Sequence, residues 1–175
     1  MKLYIWFTLL IVTKPVMAYE KLIDKICVKM KYEDCSLVKA IIKHESNFNP
    51  LSIGHDGQGS IGLMQVKCST AHTLDVDKKR KLINCDKLKV ASINLVYGIE
   101  YLQYLENLIT PKPTVKELLS LYNGGYRYDK VTDSYRVKYC NSISIKKKRN
   151  CKKGELFNKD YVNRVYATYK QNEES

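Results

Sequence analysis

Hydrophobic residues recur at helical spacing along most of this chain of 175 residues, which predicts a mostly α-helical fold. The clearest stretch places Leu37, Ile41 and Glu45 at intervals of four, so all three share one face of a helix, and Val38 and Ile42 widen its apolar stripe. Capping residues and the same periodicity predict further helices at residues 20–31, 62–66, from 69–70 onward, 86–105, 114–124 and 159–171. Residues 126–139 are predicted as a loop with room for a small β-hairpin, and the whole as a single compact domain.

Capping and breaking residues limit the helix that carries Glu45. Asp34 and Ser36 are both suitable N-caps for its start. Pro50 ends it near residue 48, because the residue before a proline is pushed out of the helical conformation. A loop with glycine at positions 54, 57 and 59 follows, and Ser60 is a candidate cap for the next predicted helix.

Glu45 is the unusual residue in this pattern. Ionising a carboxyl group away from water is costly, so a glutamate on an apolar stripe has either a partner or a chemical task. Burial would keep its proton bound near neutral pH, as a general acid requires. The alternative is a glutamate at a helix end that turns into solvent, and the helical spacing fits both interpretations.

The N-terminal segment has the features of a secretory signal peptide. Lys2 precedes an apolar run at residues 3–12, and small side chains stand before a cleavage point after Ala18. Ten apolar residues are too few to cross a bilayer, and Lys14 and Pro15 make an uncleaved anchor the weaker alternative. We therefore expect a mature domain at residues 19–175 with no stable membrane span.

Six cysteines follow that cleavage point, and an even number in an exported chain predicts three disulfides. They are Cys27, Cys35, Cys68, Cys85, Cys140 and Cys151. Cys140–Cys151 is the favoured pair, and the pairing of the other four stays open. No metal site is predicted, because the chain has no Cys-x-x-Cys and its three histidines show no ligand spacing relative to the cysteines.

The formal net charge is +12, which favours polyanionic surroundings. An anionic cell-wall or envelope surface fits an exported protein best, and plain compositional bias towards lysine is the alternative. Nucleic acid is not an expected partner, because the chain carries no nucleic-acid recognition motif.

Five short motifs follow one another along the chain: Glu-Ser-Asn-Phe-Asn-Pro at 45–50, Gly-Leu-Met-Gln at 62–65, Asn-Leu-Val-Tyr-Gly-Ile-Glu-Tyr-Leu at 94–102, Tyr-Asn-Gly-Gly at 122–125 and Tyr-Val-Asn-Arg-Val at 161–165. In sequence and order they resemble the motifs of the soluble lytic transglycosylase family, which shares its fold with goose-type lysozymes. The similarity runs over about residues 36–169. Two positions depart from the family pattern: Cys68 stands where proline is common, and Leu121 replaces the usual alanine.

The resemblance implies an enzyme that cleaves the β-1,4 bond between N-acetylmuramic acid and N-acetylglucosamine in peptidoglycan, forming a 1,6-anhydro ring without a cofactor. Glu45 would be the catalytic acid and base. The substrate-binding candidates are Ser60, Met64, Gln65, Tyr122 and Asn123. A helix cap for Ser60, a core position for Met64 and a turn for Asn123 are the structural alternatives.

Two other functions remain open at this point. Asp56, more typical of a turn, would make the protein a hydrolytic lysozyme if it faced Glu45 across a water. An inactive glycan-binding assembly protein is the other, although an intact Glu45 argues against it. His44 points away from Glu45 by roughly 100° on a helix and is expected at the surface.

The small size of the chain resembles that of specialised transglycosylases which open the wall for secretion, conjugation or pilus machines. We therefore expect a protein of the bacterial periplasm. Its expected partners are peptidoglycan strands and components of such a machine.

Overall fold

The computed structural model describes residues 3–54, 59–124, 126–129, 134–137, 156 and 158–174. Six α-helices are numbered in these ranges: α1 (Leu3–Met30), α2 (Cys35–Glu45), α3 (Cys68–Asp77), α4 (Ala91–Leu108), α5 (Val115–Tyr122) and α6 (Lys159–Glu173). The strands form two antiparallel hairpins, β1 (Ser60–Ile61) with β2 (Val66–Lys67), and β3 (Tyr126–Asp129) with β4 (Ser134–Val137). The predicted mostly α-helical fold with a small hairpin is thus confirmed.

Two compact units make up the chain, Met1–Ile99 and Glu100–Ser175, and α4 runs through the boundary between them. In the first unit, α1 begins at Leu3 and continues through the predicted cleavage point, where the sequence predicted a helix only from residue 20. It ends where Lys31 adopts a φ of 53° and the Tyr32 N–H bonds to the carbonyl oxygen of Cys27.

A disulfide and a salt bridge join α1 to α2. Cys27 pairs with Cys35 across a Cα–Cα distance of 6.1 Å, and the Lys39 Nζ lies 2.7 Å from an Asp24 carboxylate oxygen. Asp34 is the N-cap of α2, since its Oδ1 accepts a hydrogen bond from the Leu37 N–H at 3.0 Å. The choice that the sequence left between Asp34 and Ser36 is therefore settled.

The end of α2 differs from the prediction. The helix stops at Glu45 and not near residue 48. Asn47 and Phe48 both adopt the left-handed conformation, with φ values of 48° and 61°, which no helix can continue through. The apolar stripe is confirmed, because Leu37, Val38, Ala40, Ile41 and Ile42 are all buried.

The helix predicted at residues 62–66 is wrong. That segment is the turn of the β1–β2 hairpin, with positive φ at Gly62 (79°) and Gln65 (48°). An isolated bridge from Ile53 to Ile61 adds a third extended segment beside β1. Ser60 consequently lies in a strand and does not cap a helix.

The long helix predicted at residues 86–105 is broken in two. A 3-10 helix at Cys85–Lys89 precedes α4, and Val90 between them has extended backbone angles. In the 3-10 helix, a hydrogen bond and the charge of Lys89 lower the pKa of Asp86. The periodicity predicted most of the buried side correctly, since Leu88, Leu95, Ile99, Leu102 and Leu105 are fully buried, whereas Ala91 at the same spacing is half-buried.

In the second unit, the predicted capping box of α5 is confirmed. The Thr114 hydroxyl accepts from the Glu117 N–H, and the Glu117 carboxylate accepts from the Thr114 N–H. Gly124, with a φ of 83°, follows the helix as predicted. Helix α6 packs on α5 and buries Val162, Val165 and Tyr169, which confirms those positions.

Two disulfides lie among the described residues, Cys27–Cys35 and Cys68–Cys85, and they supply the pairing that the sequence left open for these four cysteines. Cys140 and Cys151 lie outside the described residues, so their pairing stays a prediction. Among the helices of the described ranges, none combines the length and the apolar character needed to cross a bilayer.

Candidate active site

Glu45 is the last residue of α2, and its side chain is half-buried. It follows the buried Ile41 by four residues, so the helix directs both towards the same side. His44 is exposed, as predicted for a neighbour that points elsewhere. A carboxyl group placed at the edge of the core is partly shielded from water while remaining within reach of a ligand. Asp56, the rival acid, lies outside the described residues.

Ser46 attaches the end of α2 to the hairpin turn. Its side chain is buried, and its hydroxyl donates a hydrogen bond to the carbonyl oxygen of Leu63 at 2.8 Å. The Ser46 N–H continues the helical pattern by bonding to the Ile42 carbonyl. The residue directly after Glu45 is therefore bonded both to its own helix and to the turn.

Gln65 closes this turn with its side-chain amide. The Nε2 donates to the carbonyl oxygens of Gly62 at 2.9 Å and Ser52 at 3.1 Å, and the Gly62 N–H also bonds to the Ser52 carbonyl at 2.8 Å. The amide nitrogen of Gln65 is thus engaged in holding the loop. Ser60, in β1, is also buried, and its carbonyl accepts from the Gly54 N–H.

Asn94, on α4, holds the hairpin turn through the hydrogen bonds of its side-chain amide. The side chain is fully buried on α4, and its Oδ1 accepts from the Met64 N–H at 2.8 Å. Its Nδ2 donates to the carbonyl oxygens of Ile61 at 2.8 Å and Leu88 at 2.9 Å. One side-chain amide therefore satisfies three buried backbone groups and fixes the position of the hairpin turn relative to α4.

Met64 belongs to the core. Its side chain is 0% exposed and packs against Gly98, where an added Cβ would come within 2.2 Å of its Sδ. Met64 therefore occupies a core position, the structural alternative to substrate binding, because no surface of its side chain is open to a sugar. The close approach explains the glycine at position 98, since any side chain there would displace the methionine.

Tyr122 and Asn123 lie in the second unit, at the C-terminal end of α5. The half-buried Tyr122 ring packs on Tyr101 with centroids 5.4 Å apart and planes tilted by 52°. Asn123 is the exposed C-cap, and its Oδ1 accepts from the Asn158 Nδ2 at 2.9 Å. That contact serves the junction of α5 with α6, so the turn interpretation of Asn123 has structural support.

Sequence reasoning missed the residues that hold the turn, namely Ser46, Ser52, Asn94 and Gly98. A signal was present for two of them, because Asn94 and Gly98 stand inside a helical motif where polar and glycine residues are unfavourable. Such residues persist in a helix when a specific contact needs them. Glu100, the other acid of the matched motifs, is buried in α4 with 7% of its surface exposed.

One possible ligand cluster was also overlooked. Cys68, His72 and Cys85 place their Sγ and Nε2 atoms within 4.8 Å of one another, and His72 follows Cys68 by four residues on α3. The statement that the histidines lack ligand spacing is therefore wrong for this pair. Both sulfurs are engaged in the Cys68–Cys85 disulfide, which removes the thiolates that a metal ion would bind.

These features define the class of the protein: a mostly helical, lysozyme-like domain with a half-buried glutamate at the end of a helix. A family model described as the transglycosylase SLT domain matches residues 25–139, more than half of the chain. The chain belongs to the transglycosylase SLT domain family, which confirms the resemblance of its motifs. No curated protein matches the chain.

Membership has consequences for activity. An SLT domain implies a lytic transglycosylase type of activity, and with it the binding of peptidoglycan. Such domains act on peptidoglycan outside the cytoplasm. The match includes Glu45 and the motifs at 62–65, 94–102 and 122–125, whereas the motif at 161–165 lies beyond it.

Proposed function

We propose that this protein is a peptidoglycan lytic transglycosylase in which Glu45 carries out both proton transfers. The observation that carries the proposal is the setting of Glu45, half-buried at the end of α2 and followed by a serine bonded to the Gly62–Gln65 turn. A rigid attachment of this kind limits the motion of the carboxyl group, and proton transfer depends strongly on its position.

A single carboxyl group is sufficient for both proton transfers of the transglycosylase reaction. Protonated Glu45 donates its proton to the glycosidic oxygen as the bond from that oxygen to the muramoyl C1 breaks. The carboxylate then takes the proton of the muramoyl 6-hydroxyl, whose oxygen bonds to C1 and closes the 1,6-anhydro ring. No water is consumed, and Glu45 ends in its starting protonation state.

A second catalytic carboxylate is not required by this scheme. Ordinary glycosidases place two carboxylates across the bond, whereas here the N-acetyl group of the sugar would stabilise the charge that develops at C1. The matched motifs contain only Glu45 and Glu100 as acids. Glu100 is 7% exposed, which suits an internal role better than a substrate contact.

We propose that the substrate-binding residues are among Ser60, Gln65, Tyr122 and Asn123, which differ in how much of each side chain is available to a ligand. Gln65 and Asn123 already use a side-chain atom inside the protein, and Ser60 is 7% exposed. Tyr122 is the strongest candidate, because a half-buried tyrosine ring offers both an apolar face and a hydroxyl to a sugar. Met64 would act indirectly, by filling the space below the turn.

Export and cellular role are also proposals. The apolar segment before Ala18 supports cleavage there, and cleavage would leave α1 beginning at about Tyr19 in the mature domain of residues 19–175. A small enzyme with a high positive charge suits local opening of the wall for a secretion, conjugation or pilus machine in the periplasm. The intact mass of the exported protein tests the cleavage point.

The decisive experiment compares Glu45→Gln with the wild-type protein on purified sacculi. Glutamine preserves the size of the side chain but cannot donate the proton, so release of muropeptides should fall by about a thousandfold. The matched control is His44→Gln, an exposed neighbour on the same helix, which should retain activity. Circular dichroism and urea unfolding establish that both variants are folded.

Product masses separate the transglycosylase from the alternatives. An anhydro end is one water lighter than a hydrolysed end, so the expected product is the lighter one. Heavier ends would make the protein a lysozyme. Binding of sacculi without any release would make it a glycan-binding protein, and undiminished release by Glu45→Gln would show that another residue is the acid.

A further inference from the structure

The Cys68–Cys85 disulfide has a histidine against both of its sulfur atoms. The Nε2 of His72 lies 3.6 Å from the Cys68 Sγ and 3.5 Å from the Cys85 Sγ. His72 reaches this position because it follows Cys68 by one helical turn on α3, while Cys85 opens the 3-10 helix. In the other described disulfide, Cys27–Cys35, the residue Cys27 is 0% exposed.

A contact with the backbone indicates which ring nitrogen of His72 carries the hydrogen. The His72 Nε2 lies 3.0 Å from the carbonyl oxygen of Ile83, which can only accept a hydrogen bond. Nε2 therefore carries the hydrogen that this carbonyl accepts, and both sulfurs lie within 3.6 Å of the same nitrogen. The same contact disfavours a metal ion, because a metal would need the Nε2 lone pair that this hydrogen occupies.

We propose that Cys68–Cys85 is a thiol–disulfide exchange site that takes an external thiol as its reaction partner. The external thiolate attacks the Cys85 Sγ and forms a mixed disulfide, and Cys68 leaves as a thiolate. A second external thiol then attacks the mixed disulfide and releases Cys85. In balance, two external thiols become one external disulfide, and the protein disulfide gains two electrons and two protons.

Two features favour the departure of Cys68. It is the first residue of the ten-residue helix α3, where backbone N–H groups stabilise a negative charge. When Cys68 leaves as a thiolate, the His72 N–H, whose nitrogen lies 3.6 Å from that sulfur, can turn from the Ile83 carbonyl to the negative charge. A better-stabilised leaving thiolate speeds exchange.

Access to the site is adequate for a thiol. Cys68 and Cys85 are both half-buried, so each keeps part of its surface open to solvent. The loop closed by the disulfide contains Lys78, Lys79, Arg80 and Lys81, whose charge would attract an anionic thiol.

The loop between the two cysteines is held independently of the disulfide. The buried Asp75 carboxylate accepts from the Ile83 N–H at 2.8 Å and from the Tyr97 hydroxyl at 2.7 Å, and it pairs with the Arg80 Nε at 3.1 Å. These bonds would persist after reduction and keep the thiols near each other. The two thiols should therefore remain close enough to form the disulfide again when an oxidised partner is present.

Opening the disulfide would affect the hairpin turn. Cys68 directly follows β2, and the 3-10 helix that begins at Cys85 supplies the Leu88 carbonyl bonded to Asn94. The disulfide is thus a covalent link between two segments that support the turn. A thiol partner would loosen this link without cutting the chain.

The test uses the oxidised full mature protein and a series of reduced glutathione concentrations. Aliquots are quenched with N-ethylmaleimide, and mass spectrometry of the digested peptides follows each cysteine pair. Cys68–Cys85 should open about ten times faster than Cys27–Cys35. A thioredoxin-type dithiol protein in a parallel series distinguishes a protein partner from a small thiol by its relative rate.

The matched variant is His72→Leu, which keeps a side chain of comparable bulk but has no N–H to donate to the Cys68 thiolate. It should slow the opening of Cys68–Cys85 about fivefold and leave Cys27–Cys35 unchanged. His44→Gln, an exposed histidine on α2, should alter neither rate. Equal rates for the two disulfides in the wild-type protein would overturn the proposal without reference to any variant. An unchanged rate in His72→Leu would do the same.

Discussion

The hydroxyl of Ser46 donates a hydrogen bond to the Leu63 carbonyl oxygen at 2.8 Å, and this bond joins the helix of Glu45 to the hairpin turn. Ser46 is 8% exposed, so neither partner can exchange the bond for one to bulk water. The candidate acid Glu45 is thus followed directly by a residue that is bonded to the turn.

Replacing Ser46 by alanine should destabilise the protein by about 1–2 kcal/mol, because the Leu63 carbonyl would lose its buried donor. Urea unfolding measures the change. Muropeptide release should fall as well, since the carboxyl group would lose part of its support. Ser69→Ala on the exposed side of α3 is the control, and a loss of similar size there would contradict a specific role for Ser46.

Asn94→Asp isolates the donor half of the Asn94 amide. The variant keeps an acceptor for the Met64 N–H but places a carboxylate against the carbonyl oxygens of Ile61 and Leu88. The free energy of unfolding should fall by about 3 kcal/mol, because two buried carbonyls lose their donor and a charge is buried.

The control for this change is Asn107→Asp, an exposed asparagine that donates to the Gln103 carbonyl within its own helix. It should cost less than about 1 kcal/mol. If thermal unfolding found the two variants equally stable, Asn94 would not be the support of the turn.

Gly98→Ala should destabilise the protein by about 1–3 kcal/mol through overpacking. Its Cβ would meet the Met64 Sδ at 2.2 Å and the Met64 Cβ at 2.9 Å. The test is a double-mutant cycle with Met64→Ala, which removes the Sδ and Cε but leaves the Cβ. Gly98→Ala should cost less in the Met64→Ala background, and strict additivity of the two changes would show that the residues do not interact.

Asn158 and Ser120 connect α6 to α5 in the second unit. The fully buried Ser120 hydroxyl donates to the Asn158 Oδ1 at 2.7 Å, and the Asn158 Nδ2 donates to the Ser120 carbonyl at 3.1 Å. Asn158→Ala should lower the free energy of unfolding by about 2 kcal/mol. The double variant with Ser120→Ala should lose less than the sum of the single changes, because it no longer leaves a buried hydroxyl without its partner.

Asn123→Ala separates a substrate contact from a structural one. Asn123 is exposed and bonded to Asn158, so a purely structural role predicts a small loss of stability and an unchanged KM for soluble glycan chains. A glycan contact predicts the reverse, a raised KM with stability close to that of the wild-type protein. Measuring both quantities on one preparation decides between the two roles.

Helices and their caps were largely predictable from sequence. The buried stripe of α2, the capping box at Thr114 and the buried face of α6 depend on spacing within one segment. Such signals are local, because a helix bonds its own backbone and a cap acts within one turn. The predicted end of α2 was too late, since the left-handed Asn47 and Phe48 are not specified by helix propensity.

The hairpin turn was the main failure. Residues 62–66 resemble a short helix when taken alone, but the Ser52 carbonyl and the Asn94 side chain hold their backbone in another shape. Gly98 and Met64 depend on each other in the same way, across 34 positions of sequence. Contacts of this kind involve segments whose approach no local pattern encodes.

The amino-acid sequence by itself determined the helical class, the family and the identity of the candidate acid, because periodicity and motif order are properties of the linear chain. Only the tertiary structure decided which side chains attach the end of its helix to the hairpin turn and which candidates lie in the core. Burial and hydrogen bonding arise when distant segments meet, so Met64 became a packing residue and Asn94 a support for the turn.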